Sequence, residues 1–181
     1  SGIQSIPVIA AEAEHLTVFQ RTPNFSVPAK NSSLDNAWVD AFKANYAAHR
    51  HNHRIGNGSG FGDLDIEPKA TVEAPTLFDE VTESEAHALL EAAWQRGGAR
   101  FMGAIGDTMM NQKANDYAQK FIHNKIRSIV HDPETAEALC PTSHPVGTRR
   151  ICVDIDYFET YNKSNVRLLN VAKDPIIRVT E

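Results

Sequence analysis

Apolar residues in this chain recur at helical spacing over most of its length. They gather into short runs only near the two ends. Residues 2–14 carry Ile3, Ile6 and Ala10 on one helical face, with Pro7 as the discordant residue. Leu16–Gln20 is a short apolar run that predicts a strand. It stops at Arg21-Thr22-Pro23, and residues 21–33, which include Pro23 and Pro28, read as a polar loop. Asp35 or Asn36 can cap a helix with Leu34, Trp38, Phe42 and Tyr46 along one side. The glycine-rich run Gly56–Gly62 predicts a loop, and a loosely patterned stretch follows to residue 81.

The second half is more sharply punctuated. Thr82 and Glu85 form a capping box that starts a helix through Gln95, and Gly97-Gly98 breaks it. A helix over 99–109 and a longer one over 112–130 follow. In the longer one Tyr117, Phe121, Ile122, Ile126 and Ile129 make an apolar stripe. Asp132-Pro133-Glu134 supplies a cap, a proline at the first helical position and an acid in the first turn, so a short helix runs to Leu139. Residues 141–149 read as loop and Asp156–Tyr161 as a helical turn. Val166–Leu169 and Ile176–Val179 read as strands joined through Lys173-Asp174-Pro175. The pattern predicts an α/β piece dominated by helix. Its two ends share a sheet, and a mainly helical insertion lies between them.

Composition narrows the function classes. A length of 181 residues suits one domain or one and a half. A net charge of −5 argues against nucleic acid and against an anionic membrane surface as partners. Cys140 and Cys152 do not make a disulfide framework and read as reduced, cytoplasmic thiols. No apolar run reaches the roughly 20 residues of a membrane span. Ile3–Ala13 imitates a signal-peptide core, but no basic residue precedes it. Of His49, His51 and His53 only the first and last share a helix face, with no acid or cysteine at a matching spacing, so no metal is expected. Asp63–Glu67 lacks the spacing of a calcium loop. Trp38, Trp94 and Phe101 read as core rather than as substrate contacts.

The most specific chemistry lies near the start. Gly2 opens a helix, a strand follows, and Arg21 stands 19 residues after the glycine. That is the order in which an NADP-binding Rossmann unit ends its second strand. Arg21 and Thr22 can cradle a 2′-phosphate, because a guanidinium offers a planar fork of donors to an anion. An ordinary solvated arginine is the competing reading. Further on, Arg149 and Arg150 form a basic pair at a loop-to-strand junction.

Taken together, Ser1-Gly2-Ile3-Gln4, Val18-Phe19-Gln20-Arg21-Thr22-Pro23-Asn24-Phe25 and Val27-Pro28-Ala29 resemble the flavin-dependent Baeyer–Villiger monooxygenases. So do Gly147-Thr148-Arg149-Arg150, Asp154-Ile155-Asp156-Tyr157-Phe158 and Asn165-Val166. The resemblance implies an enzyme that uses NADPH and FAD to insert one oxygen atom of O₂ into a ketone, through a flavin C4a-peroxide, giving an ester or lactone. It implies a division into a partial NADP-binding Rossmann unit (1–30), a helical insertion (31–144) and a return to the NADP-binding domain (145–181). By the resemblance Arg150 is the catalytic arginine. Gly2, Arg21, Thr22 and Arg149 are cofactor-binding, with Arg149 standing where the family often has lysine. The FAD-binding glycine motif does not occur in the sequence. The expectation is therefore a piece of such an enzyme that is inactive alone, that partners an FAD domain elsewhere in its parent, and that can dimerise through open strand edges. Two alternatives stand beside it: another flavin monooxygenase, N-hydroxylating or sulfoxidising, and a helical interaction module read from residues 34–140 alone.

Overall fold

The computed structural model describes residues 2–31, 33–56 and 76–180. The backbone divides into two compact units, Ser1–Lys30 with Pro75–Glu181, and Asn31–Ala74. In the larger unit α1 (Gly2–Glu12) leads into β1 (Leu16–Gln20) and β2 (Ser26–Pro28). In the smaller unit lie α2 (Asn36–Ala44) and α3 (Tyr46–Gly56). The larger unit resumes with α4 (Glu83–Arg96), α5 (Gln112–Ile129), α6 (Pro133–Leu139), β3 (Cys152–Asp154), α7 (Tyr157–Thr160) and β4 (Val166–Asn170).

Two parallel strand pairs tie the ends of the chain together. β1 pairs with β4 in the register Leu16↔Val166 to Gln20↔Asn170. β2 pairs with β3 in the register Ser26↔Cys152 to Pro28↔Asp154. Parallel pairing demands a long crossover, and here everything between the two ends serves as that crossover. Asn165 fixes the approach of β4, because its Nδ2 donates to the carbonyls of Ala10 and Ala13 at 3.0 and 2.8 Å. Those carbonyls lie at the end of α1, where a helix leaves acceptors without intrahelical donors.

Capping follows the sequence closely. Thr82 accepts from the Glu85 N–H, and Glu85 returns a bond to the Thr82 N–H at 2.8 Å. Asp132 caps α6 through the Thr135 N–H at 2.8 Å, and Asp35 caps α2 through the Ala37 N–H at 3.0 Å. On α5, Phe121, Ile122 and Ile126 are buried, while Tyr117 and Ile129 pack at the margin of the core. The core joins these side chains to Phe25, Val27, Leu90, Trp94, Phe101, Ile105 and Tyr157. Burying each large aliphatic or aromatic side chain contributes roughly 1.5–3 kcal/mol. Because Phe25 and Val27 share a core with α4 and α5, the helices of residues 83–139 do not form a module separate from the chain ends.

Several expectations are corrected. Residues 21–33 are not all loop, since Ser26–Pro28 forms β2, where Pro28 sits at the strand end and needs no N–H for the ladder. Cys152–Asp154 is a strand that the pattern did not show. The helix over 99–109 is a 3₁₀ segment, Ala99–Gly103, followed by turns. Ile176–Val179 forms no strand, and Ile176, Ile177 and Val179 are exposed. Trp94 and Phe101 are core, but Trp38 is exposed and stacks on Phe42 at a ring separation of 5.3 Å. Leu34 lies outside α2 and is exposed. Most of the glycine-rich run, residues 57–62, and the acidic run Asp63–Glu67 fall outside the described residues.

Candidate functional site

Two short polar segments lead into the same end of the parallel β2–β3 pair. The first is Arg21–Asn24. Strand β1 delivers it, and its end is fixed by Gln20, whose Nε2 donates to the Ala138 carbonyl at 2.7 Å. Phe25, almost wholly buried, then anchors the chain before β2. Between these anchors Arg21 is exposed and Thr22 is half-buried.

The second segment is 141–150, which α5 holds from below. Asn115 is buried and uses its whole carboxamide. Its Nδ2 donates to the Val146 and Thr108 carbonyls, both at 2.9 Å, and its Oδ1 accepts the Val146 N–H at 3.0 Å. Gly147 follows with φ +89°, in the region that favours glycine. A Cβ there would lie 2.2 Å from Met109 Sδ, so a side chain would require the flexible, exposed methionine to move. Arg149 and Arg150 emerge exposed just beyond it, and buried Ile151 returns the chain to the core.

Asn24 joins the two segments. Its Nδ2 donates to the main-chain oxygen of Arg150 at 3.0 Å and to Cys152 Sγ at 3.3 Å. Its Oδ1 faces His144 Nε2 at 3.2 Å. An amide oxygen only accepts, so His144 Nε2 carries the proton there. His144 Nδ1 is then free to accept from Ser143 Oγ at 3.1 Å. Burial pushes the His144 pKa below its ordinary value, and the positive charge of Arg149 pushes it the same way. The field of Arg149 therefore reaches the imidazole that faces Asn24.

Beneath the junction, Ser26 Oγ donates to Asp154 Oδ2, and Asp154 Oδ1 accepts the Tyr157 N–H at 3.2 Å. Burial raises the Asp154 pKa, against those two hydrogen bonds. The Asp154 pair thus locks β2, β3 and α7 together under the arginine segment.

Of the residues singled out from sequence, Thr22-Pro23-Asn24 and Arg149-Arg150 are linked through a hydrogen bond. Gly2 stands in the first turn of α1, where an added Cβ would meet only Ile6 Cδ1, at 4.0 Å. Among the described residues nothing requires glycine there. Among the described residues no acidic group pairs with Arg21, Arg149 or Arg150. Each of the three guanidiniums is exposed, and a guanidinium is a donor suited to a phosphate. Asn24, His144 and Asn115 were not assigned from sequence. The one hint was polar residues flanked by apolar ones, in Thr-Pro-Asn-Phe and Ser-His-Pro-Val.

Comparison with known proteins gives the class. No family model matches the chain. Cyclohexanone 1,2-monooxygenase from Acinetobacter sp is 38% identical over 183 residues, covering 100% of this chain and 32% of that protein. A Baeyer-Villiger monooxygenase from Pseudooceanicola batsensis is 37% identical over 182 residues, 99% of this chain and 31% of that protein. Phenazine N-monooxygenase PhzNO1 from Lysobacter antibioticus is 37% identical over 185 residues, 99% of this chain and 32% of that protein. Among solved structures, an oxidized steroid monooxygenase bound to NADP superimposes with a TM-score of 0.81 at 42% identity. It covers 95% of this chain and 31% of that one. OTEMO in complex with FAD and NADP gives 0.86 at 32% identity, over 99% of this chain and 32% of that one.

These similar proteins are monooxygenases. Within that class the chain is related, along its whole length, to the flavin-dependent Baeyer–Villiger monooxygenases. It spans about a third of the length of the curated relatives it matches.

Proposed function

We propose that this chain carries the NADP-facing part of an NADPH- and FAD-dependent Baeyer–Villiger monooxygenase that converts ketones to esters or lactones. In this reading the two strand-bearing ends, residues 1–30 and 145–181, belong to a Rossmann-like NADP-binding domain, and 31–144 is its helical insertion. The setting is cytoplasmic. The relatives support it by name, for they include ketone monooxygenases, and the structural neighbours include proteins bound to FAD and NADP. The observation in the chain that carries the reading is the Asn24–Arg150 bond, which ties the Arg21–Thr22 turn to the Arg149–Arg150 segment.

Overall, a ketone, O₂, NADPH and a proton give an ester, NADP⁺ and water. NADPH and FAD, when bound, supply the reducing equivalents and the oxygen-transfer chemistry. The chain's own residues bind and orient. Arg21 and Thr22 take the 2′-phosphate, and Arg149 assists. Arg150 holds the nicotinamide end and faces the negative charge that develops on the reacting oxygens. A fixed cation where charge develops can lower a barrier by several kcal/mol.

The second reading is N-oxygenation, favoured by the likeness to phenazine N-monooxygenase. Product analysis separates the two. A protein carrying this stretch, supplied with NADPH, FAD, O₂ and a cyclic ketone or a phenazine, should form a lactone from the ketone. An N-oxide with no lactone would favour the second reading.

A further inference from the structure

We infer that Asn24 is a positioning residue: its carboxamide fixes the main chain of Arg150 against the Arg21–Thr22 turn, and His144 holds the carboxamide oxygen on the other side. The ligand part of the inference rests on the NADP reading above; the geometric part does not.

A carboxamide can turn over and exchange its donor and acceptor ends. Here one orientation is dictated. The Arg150 carbonyl only accepts, so the Asn24 amide nitrogen faces it, with its second N–H toward Cys152 Sγ. Asn24 Oδ1 then faces His144 Nε2, which carries the ring proton and leaves Nδ1 to accept from Ser143 Oγ. The ring of Phe25 meets the His144 ring edge-on, with centroids 5.4 Å apart, which holds the imidazole in place. The chain Ser143–His144–Asn24–Arg150 is thus a directed row of hydrogen bonds ending on a main-chain oxygen.

The β2–β3 pair does not depend on this row. Cys152 N donates to the Phe25 carbonyl at 2.9 Å, and Ala29 N to the Asp154 carbonyl at 2.7 Å. Asn24 adds one step beyond that ladder, on the side where Arg149 and Arg150 stand. Thr22 is two residues from Asn24, a span of at most about 7 Å of chain. Fixing Arg150's carbonyl to Asn24 therefore fixes the spacing between the two halves of the anion site. A guanidinium whose main chain is held loses less freedom on meeting a phosphate, so the bond acts by preorganisation.

The test uses the full chain with Asn24→Asp, Asn24→Ala, His144→Gln and His144→Phe. Asn24→Asp keeps the shape and the acceptor but removes the donor to Arg150. His144→Gln keeps an N–H near the Nε2 position, and His144→Phe keeps the ring without it. Hydrogen exchange is followed without ligand, and NADP⁺ and NAD⁺ are titrated separately. In Asn24→Asp, Asn24→Ala and His144→Phe, exchange should quicken in 147–152 and stay unchanged in 112–129. The NADP⁺ affinity should fall about tenfold while that for NAD⁺ changes less than twofold. His144→Gln should retain wild-type behaviour. Unchanged exchange in 147–152 for Asn24→Asp, or quickening spread evenly through the core helices, would overturn the inference. Equal binding of NADP⁺ and NAD⁺ by the unaltered chain would instead overturn the NADP reading. The exchange arm would still decide the role of Asn24.

Discussion

The Asn24 side-chain amide donates to the main-chain oxygen of Arg150 at 3.0 Å, across 126 positions of sequence. A bond that long in sequence closes a large loop, and it is made only because the two parallel strand pairs have already brought the ends together. It places a loop that follows one strand beside a loop that precedes another.

Asn115 should be the residue on which the arginine segment depends for stability. Replacing it with leucine leaves the Val146 N–H and carbonyl and the Thr108 carbonyl without their partner in a buried setting. The expected loss is about 2–4 kcal/mol, read from the urea midpoint. A loss below about 0.5 kcal/mol, the range typical of surface changes, would show that the loop is held by other contacts.

Gly147 has two reasons to be glycine. Its φ of +89° strains any side chain, and a Cβ would overlap Met109 Sδ. Gly147→Ala should cost roughly 1–3 kcal/mol. Adding Met109→Ala should recover the overlap and leave the backbone strain, so the double variant should unfold between the single variant and the parent. If the double variant equals the parent, steric overlap is the whole effect.

The two ends of the chain were legible to different degrees. β1 is five residues of alternating character bounded by a polar turn, and its pairing with β4 follows the expected sharing of a sheet. β2 and β3 were hidden because three residues give no period, and because prolines at 23 and 28 signal loop. Ile176–Val179 has strand-like residues, but β-propensity reflects a fit to neighbouring strands and carries little weight alone. Helices with explicit caps at Thr82 and Asp132 were read almost to the residue, while the helix capped by Asp35 ends at Ala44, with Leu34 outside it and Tyr46 in the next helix. Of the candidate site, Arg21 was singled out by spacing, and Arg149 and Arg150 by resemblance. Asn24, His144 and Asn115 were not, since a hydrogen bond over 126 positions leaves no local trace.

Acid should weaken the fold through His123. Burial depresses its pKa in the folded chain, where its Nε2 meets the Pro141 carbonyl at 2.8 Å. The unfolded chain then binds the proton more readily. The contribution is present above the unfolded value, near 6.5, and is lost as pH falls through the lower folded value. His144, also depressed, adds to the same slope. Asp154 acts oppositely, since its raised pKa adds stability that is lost as pH rises through its folded value. The urea midpoint should fall from pH 8 to pH 5, and His123→Gln should flatten that fall. An equally steep fall in His123→Gln would remove His123 as the cause.

The central claim is that Arg21 and Thr22, assisted by Arg149, bind a 2′-phosphate. Calorimetric titration of the chain and of Arg21→Ala with NADP⁺ and NAD⁺ tests it most directly. The account predicts that the unaltered chain binds NADP⁺ at least about tenfold more tightly than NAD⁺, and that Arg21→Ala brings the two to within about twofold. A preference for NADP⁺ that survives Arg21→Ala unchanged, or no preference in the unaltered chain, would contradict it.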